Sequence, residues 1–256
     1  MKRLLRDDMK KYLVILATII CTGTAVAQTS TAQPPAVSQK FQADEKLLAD
    51  WPQLAYYRNQ NASIPAPRQG EARVVFMGDS ITDLWGHGAD VFFPGKPYIN
   101  RGIGGQTTSQ MLLRFRQDVI DLNPRVVVIL GGVNDLASSP QPTPLATIEG
   151  NLTSMAELAR ANGIRVVMAS LTPVSDFLLP TQTTAHPPQK IVQLNAWIKS
   201  YVKKQHFVYV DYYAALIDAH QSMKKSLSFD GLHPNAAGFA VMKPLAQQAI
   251  ERALAQ

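Results

Sequence analysis

A chain of 256 residues with 46% hydrophobic and 17% charged residues can bury a sizeable core and is too apolar for a disordered polypeptide. Its formal charge is +6, but residues 1–27 hold five of the 25 Lys/Arg and two of the 19 Asp/Glu, which leaves +3 for the remainder. Beyond residue 27 no basic cluster is long enough to track a phosphate backbone, Lys224-Lys225 being a pair, so nucleic acid is not an expected partner.

The N-terminus reads as a secretory signal over residues 1–27. Lys2, Arg3, Arg6, Lys10 and Lys11 precede an apolar run from Tyr12 to Cys21, and Ala25-Val26-Ala27 supplies a small-residue cleavage site, with cutting expected after Ala27. Met9-Lys10-Lys11 would serve equally as a start. An uncleaved anchor is the competing reading, but the apolar run falls short of the ~20 residues a bilayer span needs. The expected product is secreted or periplasmic, without stable membrane insertion after cleavage. Cys21 is the only cysteine, so no disulfide is expected; Ile20 stands before it where lipidation would favour a small residue.

Residues 28–45 are rich in Thr, Ser, Gln, Ala and Pro and read as a flexible leader. Helical spacing runs from Glu45 to Asn61 and stops before Pro65 and Pro67. Strands are then expected at Arg73–Met77, Tyr98–Asn100, Val126–Leu130, Arg165–Ala169 and Phe207–Val210. Helices are expected between and after them, at 107–122, 144–161, 188–204 and 236–255. Nearly continuous Val/Ile strands alternating with helices predict a three-layer α/β/α domain over residues 66–256, with a five-stranded parallel sheet in flavodoxin-like order. Binding sites of such sheets lie beyond the carboxyl ends of the strands. The unusual residues follow those ends: Gly78-Asp79-Ser80, Gly102 to Gln106, Gly131 to Asp135, Thr172-Pro173, and Asp230 to His233 before the last helix.

Ser80, at a strand-to-helix turn, is a candidate nucleophile; equally, Asp79 or Ser80 caps the next helix. In Asp230-Gly231-Leu232-His233 the carboxylate can reach the imidazole across one turn and fix its tautomer, or the pair is a cap beside a surface histidine. Gly104 and Gly105 leave room for a carbonyl oxygen to approach the backbone, and Asn134 ends a strand where its amide could donate to the same oxygen. A plain turn explains Gly131, Gly132 and Asn134 as well.

Taken in order, G-D-S-I-T at Ser80, G-I-G-G-Q-T at Gly105, G-G-V-N-D at Asn134 and D-G-L-H-P-N at His233 resemble the SGNH/GDSL hydrolase family, from about Arg73 onward. The glycine loop is most similar to the platelet-activating-factor acetylhydrolase-like branch, although that branch often has Asp where this chain has Gln106. The resemblance implies the SGNH hydrolase fold and a serine esterase with Ser80, His233 and Asp230 as catalytic triad. It also implies an oxyanion hole of the Ser80 N–H, the Gly105 N–H and the Asn134 side chain, with no metal or other cofactor. Asp79, Trp85 and Arg101 are further candidates for substrate binding, Asp83 for the pocket border, and the 172–188 segment for shaping the acyl or alcohol pocket. His87, His186, His206 and His220 read as structural or exposed, and Asp135 as a cap for the segment after it.

The expected substrates are small-molecule or polysaccharide esters, short-chain acyl or acetyl. A lysophospholipase or thioesterase acting on lipids is the alternative within the same chemistry. A metallophosphoesterase would need more His and carboxylate ligands than this spacing offers. A noncatalytic envelope carbohydrate-binding protein on the same fold is the rival of a different class.

Overall fold

The computed structural model describes residues 41–42, 44–45, 48–87, 92–137 and 141–256. The signal-peptide expectation and most of the leader therefore lie outside the described residues. The chain divides between Asp44 and Glu45, and the sheet with its covering helices belongs to the second unit, Glu45–Gln256.

Five parallel strands form one sheet in the order β2-β1-β3-β4-β5, the flavodoxin-like arrangement. They are β1 (Val74–Gly78), β2 (Tyr98–Gly102), β3 (Val126–Leu130), β4 (Arg165–Ala169) and β5 (Val208–Val210). Every residue of β1 and β3 is buried, as a parallel sheet covered on both faces requires. The covering helices include α1 (Arg58–Ser63), α2 (Ser80–Asp83), α3 (Thr108–Asp118), α4 (Val133–Leu136), α5 (Leu145–Ala161), α6 (Gln182–Ala185), α7 (Pro188–Gln205), α8 (Tyr212–Leu216) and α9 (Ala236–Leu254). Three of the long helices start at chemically suitable caps. Thr107 and Gln110 form a capping box on α3, the Asn235 side chain accepts from Gly238 N on α9, and Pro188 opens α7.

The register brings the strand ends level. Gly78 pairs with Gly102 on one side and Leu130 on the other, so the loops after β1, β2 and β3 leave the sheet side by side. Short α2 lies directly on these ends. A Cβ at Gly78 would stand 2.0 Å from Thr82 Oγ1, and one at Gly102 would stand 2.0 Å from Asp83 N. Glycine is required at both positions because α2 occupies the side-chain space.

The long N-terminal helix expected over Glu45–Asn61 is not continuous. Turns occupy most of 50–57, and α1 begins only at Arg58. Pro52 cannot donate to a helical ladder, Gln53 has φ 58°, and the Asp50 carboxylate instead accepts from Leu54 N at 2.7 Å and Ala55 N at 2.9 Å. The helix expected to run to Leu122 likewise stops at Asp118, with a 3₁₀ turn over Ile120–Leu122.

Candidate active site

The Asp230–His233 loop is held by hydrogen bonds between its backbone and neighbouring side chains. The Ser228 hydroxyl donates to His233 O at 2.7 Å and accepts from Gly231 N at 2.9 Å, while Asn235 N donates to Leu227 O at 3.0 Å. Within that frame Asp230 Oδ1 accepts from Leu232 N at 2.9 Å and His233 N at 2.8 Å, and Oδ2 lies 2.8 Å from His233 Nδ1. The far ring nitrogen, Nε2, lies 2.9 Å from Ser80 Oγ, 153 positions away in sequence. The three residues thus form one hydrogen-bonded chain, from carboxylate through imidazole to hydroxyl.

The electrostatics suit that chain. Partial burial disfavours the Asp230 carboxylate, but its hydrogen bonds from His233 and Leu232 outweigh it and hold the group below the usual carboxylate range. An ionised Asp230 fixes the proton on Nδ1, which leaves Nε2 able to accept one from Ser80.

The glycine loop passes beside the serine. A Cβ at Gly104 would stand 3.6 Å from Asp83 Oδ2 and 4.0 Å from Ser80 Cβ. Gly104 and Gly105 are exposed, and Gly105 has φ 76°, a conformation that glycine adopts without steric cost. Asn134, on α4, donates from Nδ2 to Gln106 O at 3.0 Å. Candidate oxyanion groups from three loops are therefore brought to one end of the sheet, as the strand-end rule anticipates.

Three expected substrate contacts are corrected by burial. Asp79 is 1% exposed and caps α2, accepting from Ile81 N at 3.0 Å. Burial pushes its carboxyl up to about 7, with the Ile81 N–H and His233 offsetting part of that rise and Asp135 adding to it. Trp85 is 2% exposed, stacked on Phe239 at 5.3 Å and surrounded by Phe76, Phe92 and Phe93. Arg101 is 3% exposed, with its guanidinium 4.4 Å from the Tyr57 ring centroid and Nε donating to Asn61 Oδ1. A side chain sealed in this way serves packing, not ligand contact. Asp135 caps a different helix from the one expected: it accepts from Thr108 N at 2.8 Å and Thr108 Oγ1 at 2.6 Å, at the start of α3.

The 172–188 segment is fastened to the Asp230–His233 loop through its first part. Ser175 N donates to Gly231 O at 2.8 Å, and Phe177 would touch a Cβ placed at Gly231. His186 is buried and close enough to feel His233 and Asp230; burial lowers its pKa. His87, His206 and His220 are exposed. Among the described residues no group of three or more His, Cys, Asp or Glu is gathered to hold a metal ion.

Residues that sequence reasoning passed over connect these parts. Arg114 is fully buried on α3. It donates to Asp118 at 3.0 Å, to Gln106 Oε1 at 2.5 Å, and to Gly78 O at 2.9 Å, two residues before Ser80.

A parallel five-stranded α/β/α fold with Ser, His and Asp joined at its carboxyl rim defines the class of the SGNH acylhydrolases. The chain matches the GDSL-like lipase/acylhydrolase family over residues 76–241, more than half its length, and belongs to that family. Membership implies ester hydrolase activity.

A GDSL-like lipase from Bacteroides thetaiotaomicron is 40% identical, covers 79% of this chain and 98% of its own, and superposes with a TM-score of 0.73. A putative acylhydrolase from Bacteroides fragilis is 41% identical, with 79% and 97% covered and a TM-score of 0.74. An acetylxylan esterase from Geobacillus stearothermophilus, 22% identical over 73% of this chain and 95% of its own, shares the fold with a TM-score of 0.58. An uncharacterized lipoprotein of Bacillus subtilis is 35% identical over 79 residues, 30% of this chain. The match spans about a third (32%) of that relative's length.

Proposed function

We propose that this protein is an exported serine esterase that hydrolyses short-chain acyl or acetyl esters, including acetyl groups carried on carbohydrate. The single observation that carries the reading is the chain of contacts from Asp230 to His233 at 2.8 Å and from His233 to Ser80 at 2.9 Å. In the reaction His233 Nε2 accepts the Ser80 proton as Oγ attacks the ester carbonyl. The Ser80 and Gly105 N–H groups and the Asn134 amide stabilise the oxyanion. His233 then returns the proton to the leaving alcohol, and water repeats the sequence on the acyl-enzyme to release the acid.

Acetyl esters of carbohydrate are favoured because one protein of this fold is an acetylxylan esterase. A cell-envelope or extracellular location follows from the basic and apolar N-terminus with its Ala25-Val26-Ala27 site, and agrees with the naming of the Bacillus relative as a lipoprotein. No described helix is long and apolar enough to cross a membrane. The proposed organisation is a signal over 1–27, a leader with a helical segment over 28–65 and the hydrolase domain over 66–256.

The test compares wild type with Ser80→Ala on p-nitrophenyl acetate, butyrate and octanoate and on acetylated xylan. Turnover confined to wild type, greatest on acetyl esters, is expected. Substantial turnover by Ser80→Ala would overturn the assignment, and preference for octanoate would replace the acetyl reading with a lipid one.

A further inference from the structure

The residues matched by the family begin at 76, yet the loop that carries Gly105 is held from outside that region. Gly104 and Gly105 are exposed, and the next residue, Gln106, is 1% exposed. A glycine pair on the surface has little to restrain it, so the loop's position is set at its two buried ends, Ile103, whose N–H donates to Gly78 O at 3.1 Å, and Gln106.

Each polar group of Gln106 used there has its own partner. Its backbone carbonyl accepts from Asn134 Nδ2 at 3.0 Å. Its side-chain oxygen accepts from Arg114 Nε at 2.5 Å, and the same guanidinium holds Gly78 O at 2.9 Å. Its side-chain nitrogen donates to Pro52 O at 3.0 Å and Gln53 Oε1 at 3.2 Å, in the segment before α1. That segment and the start of α1 are themselves fastened to the domain. Gln117 donates to Leu54 O at 2.8 Å, the Tyr57 hydroxyl donates to Gly102 O, and Asn61 Nδ2 donates to Asp118 Oδ1 at 2.6 Å.

One residue, through its side chain and its backbone, therefore stands behind all three proposed oxyanion donors. Through Arg114 it is tied to the strand end before Ser80, through its peptide it follows Gly105, and through its carbonyl it sets the plane of the Asn134 amide. We propose that Gln106 is a positioning residue for the oxyanion hole, and that the 52–61 segment is a strap that completes this hole through Gln106. The inference rests on the reading of Ser80, Gly105 and Asn134 as oxyanion donors.

The chemistry selects glutamine. A neutral amide accepts from a guanidinium on one side and donates to two carbonyl oxygens on the other. A carboxylate would keep the first contact but turn lone pairs toward Pro52 O and Gln53 Oε1. An apolar side chain would keep neither and would leave buried groups unsatisfied.

The experiment uses the full chain and assays wild type, Gln106→Leu, Gln106→Glu and Ser80→Ala on p-nitrophenyl acetate, well below each melting transition. A trifluoromethyl ketone that forms a hemiketal oxyanion is titrated against the same proteins. Gln106→Leu is expected to lower kcat about 10- to 100-fold, less than outright loss of a donor, with KM nearly unchanged and ketone affinity falling in step with kcat. Gln106→Glu is expected to show a smaller fall of the same pattern, because it keeps Arg114 and loses the strap.

Undiminished kcat in Gln106→Leu, with Ser80→Ala inactive, would overturn the positioning role while leaving the esterase reading intact. Full kcat in Gln106→Glu would overturn the strap, and this variant decides the matter if Gln106→Leu does not fold. Turnover by Ser80→Ala would fail the underlying reading itself.

Discussion

Gly231 and Ser175 lock the loop of Asp230 and His233 onto the segment after β4. Ser175 N donates to Gly231 O at 2.8 Å, while a Cβ on Gly231, whose φ is 97°, would stand 2.0 Å from Ser175 O. Gly231→Ala must therefore adopt a left-handed conformation and push two backbones apart. The expected loss is roughly 1–3 kcal/mol of strain or more, together with reduced turnover as His233 shifts from Ser80. Gly163 also has positive φ, 72°, but a Cβ there would meet nothing within 4 Å. Gly163→Ala should cost only the left-handed backbone strain, roughly 1–2 kcal/mol, and leave turnover alone. Denaturant unfolding and kcat of the two variants, compared side by side, check this.

Asp79 predicts a pH dependence of stability. Its carboxyl is raised from 3.8 to about 7 in the folded protein by burial, and one oxygen, Oδ2, has no hydrogen-bond partner. Between those two values the unfolded chain has released the proton and the folded one keeps it. The folded state thus binds more protons, and stability falls as pH rises through the window. Asp79→Asn keeps an oxygen for Ile81 N and cannot ionise. Relative to wild type it should gain on the order of a few kcal/mol on passing from below 3.8 to above 7. Urea midpoints of both proteins on either side of the window measure the difference; parallel curves would refute the ionisation.

Much of this architecture was legible because its signals are local. β3 and β4 fall at the expected residues, Val126–Leu130 and Arg165–Ala169, since a fully buried strand is a short apolar run whose ends are marked by its neighbours. The Asp230-to-His233 spacing spans one turn, so their contact could be anticipated. The 153-residue separation of Ser80 and His233 could not be bridged by spacing, only by the order of the motifs. Trp85 and Arg101 were drawn toward the site by their nearness in sequence to motif residues, and only packing shows that they face inward.

The Arg114–Asp118 pair was missed for a different reason. At i,i+4 on a helix it looks like an exposed ion pair. The available signal was the stripe Met111, Arg114, Phe115, Asp118, which has helical spacing and is buried throughout. An arginine on such a stripe must be satisfied inside the protein.

That burial makes Arg114 a stability residue as well. Both side chains of the ion pair are fully buried, with 3.0 Å between Arg114 NH1 and Asp118 Oδ2. Arg114→Leu strands the Asp118 carboxylate and should cost about 3–5 kcal/mol, a melting shift on the order of 10 °C. Adding Asp118→Leu removes the stranded charge and should restore part of the loss. A double variant no more stable than Arg114→Leu would place the cost in the contacts to Gln106 and Gly78, together with that of Asn61 Nδ2, which loses Asp118 Oδ1 as acceptor.

Asp230→Asn separates orientation from charge. The amide can still accept from Leu232 N and His233 N, so the loop should keep its form. It can also present its NH₂ to His233 Nδ1, which puts the imidazole proton on Nε2, facing Ser80. A fall in kcat of roughly 10⁴ is expected, with the circular dichroism spectrum unchanged. Retention of most activity would mean that Asp230 serves the loop and not the imidazole.

Asn134 is the sharpest probe of the proposed oxyanion hole, because its amide can be shortened without disturbing the backbone of α4. Asn134→Ala removes a donor used mainly when the carbonyl oxygen becomes an oxyanion, so kcat should fall about 10²- to 10³-fold while KM changes little. It also frees Gln106 O, which accepts from Asn134 at 3.0 Å. Asn134→Asp tests the sign of the requirement. A carboxylate of the same shape repels the developing oxyanion, so this variant should be at least as impaired as alanine at neutral pH. Steady-state kinetics on p-nitrophenyl acetate distinguish the cases. A rise in KM with kcat preserved would place Asn134 in ground-state binding and remove it from the oxyanion hole.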